Sequence, residues 1–211
     1  MILYILILLL ILLIIYQLYN KPSNFYNYNT YYPELNILYK NHKIILKDVL
    51  KLNNRNWIEW PEKTLYDGDT WKIVPFYAFG KYIDKNCKLC PNIYNILLKI
   101  PNKKTALLSR LKANTKLDAH MGWGDLANYI LRCHYGVIVP DNCYIHVMNE
   151  KRKIKEKKII VFDDSKMHYA ENKSNTDRII LIIDMPRPSN IPIGTSNVKK
   201  SDELLKLINT T

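Results

Sequence analysis

The stretch YILRCHYGVIV, residues 129–139, decides the fold. It is rich in β-branched, aromatic and aliphatic residues and stops at Pro140, as a short strand running into a turn does. Side chains alternate across a strand, so Arg132 and His134 share one face, and Leu131, Cys133 and Tyr135 share the other. If the first face looks into a sheet interior, its guanidinium and imidazole need an anionic partner. A bound carboxylate would satisfy both. Segments of the same kind lie on either side: ALLSRL (106–111), CYIHVM (143–148), KIIVFDD (158–164) and RIILIIDM (178–185). Pro-Asp-Asn, charged or Asn/Ser-rich turns separate them. Strands this short and evenly spaced predict a β-sandwich or barrel rather than a parallel sheet.

Ahead of these strands, Pro91 followed by Ile93, Ile96, Leu97 and Ile100 has the spacing of an amphipathic helix with proline in its first turn, ending before Pro101. Behind them, SDELLKLI (201–208) predicts a short closing helix capped by Ser201. There are no internal repeats.

The first sixteen residues, MILYILILLLILLIIY, are all apolar or aromatic. They lack the basic start and small-residue cleavage site of a signal peptide, so residues 1–19 are expected to be an uncleaved transmembrane anchor. Lysines follow the run and none precedes it, which by the positive-inside tendency puts the bulk of the chain in the cytosol. Residues 20–35, polar and Asn/Tyr-rich without period, are expected to tether that anchor to a domain spanning 36–211.

The net charge of +12 would suit a nucleic-acid or anionic membrane surface. Its densest run, KRKIKEKK (151–158), lies between two strands where a solvated hairpin belongs, and basic and aromatic residues do not interleave on one face. Nucleic acid is therefore not the expected partner. Cys87 and Cys90 form one C-x-x-C without a second, which does not make a zinc site; ordinary reduced cysteines beside a helix start are expected. Asn172-Lys-Ser matches an N-glycosylation sequon.

His120, His134, His146 and His168 all fall in the strand-rich half, and Arg178 opens an otherwise apolar strand. An arginine fork suits bidentate carboxylate binding. The run HMGW…LRCHYG…FDDSKMHYAEN…DRIILIIDMPRP resembles the aspartyl/asparaginyl β-hydroxylase family of iron(II)- and 2-oxoglutarate-dependent dioxygenases, over roughly residues 56–188. The resemblance implies a mainly β fold, a double-stranded β-helix or jelly-roll barrel of the cupin type with flanking helices. It implies metal ligation by His120 and His168, and 2-oxoglutarate contacts from Arg132, His134, Arg178 and Ser109.

Most of the wider superfamily binds iron through two histidines and a carboxylate. Gly122 stands at the carboxylate position, as it does in members resembling the animal aspartyl hydroxylase, leaving two protein ligands. Asp164 would then hold a metal-bound water, with Asp125 a rival carboxylate three residues past Gly122. Ala119 departs from the family's proline, Tyr135 from its common leucine, and KIKEKK lacks its frequent Trp and Gly. Trp71 matches either a family tryptophan near the site or a core residue. His146 has no assigned role.

The function implied is O2-dependent hydroxylation of an unactivated C–H bond, the β-carbon of Asp or Asn in a peptide or protein. The alternatives are hydroxylation of a lipid acyl chain, or a jelly-roll binding module without turnover.

Overall fold

The computed structural model describes residues 2–19 and 23–202, with side chains of the first helix described for residues 4–13. The chain runs α1 (Ile2–Tyr19), β1 (Phe25–Tyr26), α2 (Tyr28–Tyr31), α3 (Asn36–Lys40), α4 (His42–Val49), β2 (Ile58–Glu59), β3 (Trp71–Ala78), β4 (Lys81–Tyr82), α5 (Asp84–Leu89), α6 (Pro91–Leu98), β5 (Thr105–Leu111), β6 (Thr115–Lys116), α7 (Gly124–Ala127), β7 (Ile130–Ile138), β8 (Cys143–Val147), β9 (Glu150–Lys153), β10 (Ile159–Phe162), β11 (His168–Asn172) and β12 (Arg178–Pro186). The expected helix over 201–208 lies outside the described residues from Glu203 onward.

Two antiparallel sheets face each other. The larger has the order β1-β10-β7-β12-β5-β3-β2 with β4 on β3, and the smaller β6-β11-β8-β9. In the large sheet, Leu131, Cys133, Tyr135 and Val137 of β7 and Leu181, Ile183 and Met185 of β12 turn outward and bury against Leu38, Ile45, Ile93, Ile96 and Leu97 of the helices. The alternate residues turn inward toward the small sheet, where Ile180, Ile182, Ile160 and Phe162 pack on Ile145, Val147 and Ala170. Strand β12 is therefore covered on both faces, which explains why RIILIID reads as a continuous apolar run. Arg132 and His134 lie on the inward face, the parity their alternation required.

Strand β3 was not among the expected strands because Pro75 interrupts it. The register shift between Pro75 and Tyr77 is a bulge, where a missing N–H is tolerated. All four cysteines are free and buried, Cys87 within α5 and Cys90 just ahead of Pro91 in α6, in line with the expectation of reduced thiols.

Two expectations about the N-terminus are corrected. Among the described residues, no helix is long and apolar enough to cross a membrane. Helix α1 has 18 residues, a rise of about 27 Å at ~1.5 Å per residue against a hydrocarbon core of about 30 Å. The single-pass anchor over 1–19 is thereby overturned, and the cytosolic placement inferred from it loses its basis. Residues 23–35, read as part of a polar tether, are folded: Phe25 and Tyr26 pair with Phe162 and Val161, and Tyr32 and Leu35 are buried. A tyrosine buries its ring while its hydroxyl stays bonded, as Tyr32 does by donating to Pro186 O at 2.8 Å. A tyrosine-rich segment is thus less polar than it reads.

Candidate iron and cosubstrate site

His120 and His168 are brought together by an isolated antiparallel bridge. His120 N donates to His168 O at 2.9 Å and His168 N to His120 O at 2.8 Å. Their rings lie 4.5 Å apart between centroids. His120 Nδ1 lies 2.7 Å from Asp118 O, and His168 Nδ1 2.8 Å from Lys166 O. A carbonyl only accepts, so each Nδ1 carries the proton and each Nε2 keeps its lone pair. Burial holds both imidazoles below the ordinary histidine range, hence neutral. Two neutral rings that each keep a lone pair on Nε2 are a donor set iron(II) accepts.

Asp164 is buried beside them, its Oδ1 3.4 Å from His168 Nε2 and 2.6 Å from Arg132 Nη1. The contact with Arg132 is an ion pair without hydrogen-bond alignment, so that oxygen retains accepting capacity. Burial raises the Asp164 carboxyl to about 7, with Arg132 pulling the other way. Arg132 is also held bidentately by Asp184, Nε to Oδ1 at 2.8 Å and Nη2 to Oδ2 at 3.0 Å.

Gly122 owes its identity to this arrangement. A Cβ there would overlap Asp164 Oδ2 and press on Ala127 Cβ at 2.8 Å. The carboxyl of Asp164 thus occupies the space a side chain at 122 would need. Both ends of the described domain clamp the surrounding loops. Asp163 N donates to Asn24 O at 3.1 Å, Thr195 N to Ser165 Oγ at 3.3 Å, and Gly124 N to Val198 O at 2.8 Å, while Ser196 Oγ donates to Gly122 O.

Deeper between the sheets lies a second cluster. Arg178 is 2 % exposed, yet its Nε and Nη1 have no hydrogen-bond partner; its Nη2 donates to Ser109 Oγ at 3.5 Å. Burial lowers the guanidinium to about 10, so it remains charged at neutral pH. Nearby His134 is buried with Nδ1 unpartnered and held neutral by burial and by Arg178. Trp71 Nε1 donates to Ser109 Oγ at 3.0 Å, and its ring lies 6.3 Å from His120. A buried cation and a buried imidazole with unused polar atoms fit a dicarboxylate cosubstrate.

A family model described as aspartyl/asparaginyl beta-hydroxylase matches residues 39–188. The chain belongs to that family. Among curated relatives, an ornithine lipid ester-linked acyl 2-hydroxylase of Rhizobium tropici is 35% identical over 133 residues, covering 62% of this chain and 46% of that protein. The human aspartyl/asparaginyl beta-hydroxylase is 27% identical over 134 residues, covering 62% of this chain and 18% of the relative. The chain thus spans less than half the length of either. Among solved structures, a prolyl hydroxylase of Trichoplax adhaerens, in complex with a hypoxia inducible factor oxygen degradation domain peptide fragment, has a TM-score of 0.49 at 10% identity, covering 69% of this chain and 78% of that one.

This hydroxylase-family chain brings its expected site residues into two adjoining clusters, His120, His168, Asp164 and Arg132 in one and Arg178, Ser109 and His134 in the other. Arg132 differs from the expectation in one respect: Asp164 and Asp184 already neutralise it, so it is not a guanidinium awaiting a ligand. Asp125 is exposed and paired with Lys200, away from the histidines. His146 lies on the small sheet, stacked on Tyr169 at 4.2 Å and bonded to Glu171 at 2.9 Å. Asn172, the sequon residue, is fully buried, its Nδ2 donating to Leu111 O, Lys112 O and Thr176 O. Among the described residues no group of three or more His, Cys, Asp or Glu is arranged to hold a metal.

Asp184, Trp60 and Trp123 had no assigned place in the site. Asp184 was legible, since Arg178, Ile180, Ile182 and Asp184 share one face by the period of two. The tryptophans were not. They stack through space, Trp71 on Trp60 at 4.6 Å and Trp60 on Trp123 at 5.7 Å, across long sequence separations.

Proposed function

We propose that this protein is an iron(II)- and 2-oxoglutarate-dependent dioxygenase of double-stranded β-helix fold that hydroxylates an unactivated C–H bond. The observation that carries the reading is Arg178, a buried guanidinium without an ion-pair partner among the described residues, beside His134 and Ser109 and one cluster away from two neutral histidines protonated on Nδ1.

When bound, iron supplies O2 activation coupled to cosubstrate oxidation, with the overall balance R–H + 2-oxoglutarate + O2 → R–OH + succinate + CO2. The residues of this chain bind and orient. His120 and His168 hold the metal, their tautomers set by Asp118 O and Lys166 O. Arg178 pairs with the distal carboxylate of the cosubstrate, Ser109 adding a hydroxyl donor and Trp71 fixing that hydroxyl. His134 presents an unsatisfied ring nitrogen to the same ligand. Asp164 orients a water at the metal from the place Gly122 leaves clear.

The family reading of the substrate is the β-carbon of Asp or Asn in a peptide. An acyl chain is the second reading, since the relative of R. tropici is named for acyl hydroxylation. A groove of about 710 Å3 beside the site mixes Met121, Met148 and Met167 with a polar majority that includes Asn24, Glu150 and Lys166. The methionines make the apolar part of that lining deformable.

The full chain supplied with iron(II), O2 and 2-oxoglutarate is expected to form succinate. Calorimetric iron binding should be lost in His120→Ala and in His168→Ala, and kept in His134→Ala. Absence of succinate with peptide and lipid extracts alike would favour a non-catalytic binding module.

A further inference from the structure

A second cavity adjoins the site on the inner face of the large sheet. Its volume is about 60 Å3, and its walls include Ile73, Pro75 and Leu107 from β3 and β5, Leu126 from α7, and the rings of Trp60 and Trp123. These two indoles belong to the stack that ends on Trp71 beside His120. Glu62 clips them together, accepting from Trp60 Nε1 at 3.2 Å and from Trp123 Nε1 at 2.9 Å. Arg132 and Asp184 form the cavity's polar boundary, and Arg132 contacts Asp164, which lies 3.4 Å from His168 Nε2.

The charged groups at that boundary are already spent. Asp184 accepts from Arg132 and from Thr105 Oγ1, and Arg132 is shared between Asp184 and Asp164. Among the described residues, none of the buried polar atoms lacking a partner lines this cavity. A peptide amide or carboxylate entering it would lose its water and find no partner, at a cost an alkyl group does not incur. Apolar cavities of this kind stay dry and take hydrocarbons; since one of about 150 Å3 accommodates a benzene ring, this volume suits a short run of methylenes better than a ring.

We infer that the cavity roofed by Trp60 and Trp123 is an alkyl subsite, holding the end of a substrate acyl chain while the carbon to be hydroxylated lies at His120 and His168. The inference rests on the hydroxylase reading for its substrate role, but the binding itself requires neither iron nor cosubstrate.

Tryptophan emission of the full chain, metal-free, is titrated with 10-bromodecanoate, offered as the free acid and as its lysophospholipid ester. Bromine quenches only at contact, so saturable quenching is expected, and the ester arm tells whether the chain enters from a lipid or from a free acid. Ala78→Phe and Leu126→Phe, which fill the cavity from two sides, should each weaken the binding at least tenfold in variants that still melt cooperatively. Quenching that does not saturate in either arm, or that both folded variants leave unchanged, overturns the subsite. Succinate formation is scored separately. Quenching without succinate would sink the hydroxylase reading and leave the subsite standing; succinate without quenching would do the reverse.

Discussion

At the scale of single residues, Gly122 is the informative position. In the wider superfamily a carboxylate stands there, so Gly122→Asp looks like a restoration. The packing says otherwise, because the new Cβ would meet Asp164 and Ala127 before its carboxyl reached a metal. Gly122→Asp should cost about 1–3 kcal/mol of stability, the range for forcing atoms into a packed site, with no gain in iron affinity; thermal melts and an iron titration check both halves. Tighter iron binding would mean that Asp164 yields its place. The sequence made the glycine visible, together with His120, His168 and the carboxylate opposite. What it withheld was that Asp164 and Gly122 fill one another's space, a contact made by chain segments far apart in sequence.

At the scale of the element, strand β12 holds an unusual load. Its inward face runs Arg178, Ile180, Ile182, Asp184, an unpaired cation at one end and a twice-bonded anion at the other. The two ends should respond oppositely to mutation. Arg178→Met removes a buried charge that no anion among the described residues compensates, so the ligand-free protein should gain about 2 kcal/mol while 2-oxoglutarate binding is lost. Denaturant unfolding without ligand and calorimetry with 2-oxoglutarate read the two effects. A destabilised Arg178→Met would mean that the guanidinium serves the core rather than a ligand. The arginine at the strand's start was legible because it broke an apolar run. The strand's central position was not, since pairing between β7 and β5 is decided by register across the whole sheet.

At the scale of the molecule, a pH dependence follows from what is buried. Burial depresses His120, His134 and His168, and also His42 on the outer face, so folding favours their neutral forms. Their contribution is fully present above the ordinary histidine value of 6.5 and is lost as pH falls toward the depressed values. Asp164, raised to about 7, acts with the opposite sign, its contribution lost as pH rises toward 7. Four groups outweigh one, so the metal-free protein should lose stability between pH 7 and pH 5.5, as denaturation midpoints would register; a flat profile over that interval would contradict the burial of these rings. The β class, the inward parity of Arg132 and His134, and helix α6 were legible because local periodicity carries them. The folded segment 23–35 was not, because its worth lies in tyrosine rings whose partners sit over a hundred residues away.

The clamp on the Gly122 turn also bears on when the site can exist. His120 and His168 are both synthesised before Ser196 and Val198, whose bonds to Gly122 and Gly124 hold that turn in place. A ribosome-bound chain that has exposed His168 but not yet Ser196 therefore carries both imidazoles without the fastening that shapes the space between them. The shape of the space between the two rings thus waits on a segment made after both of them.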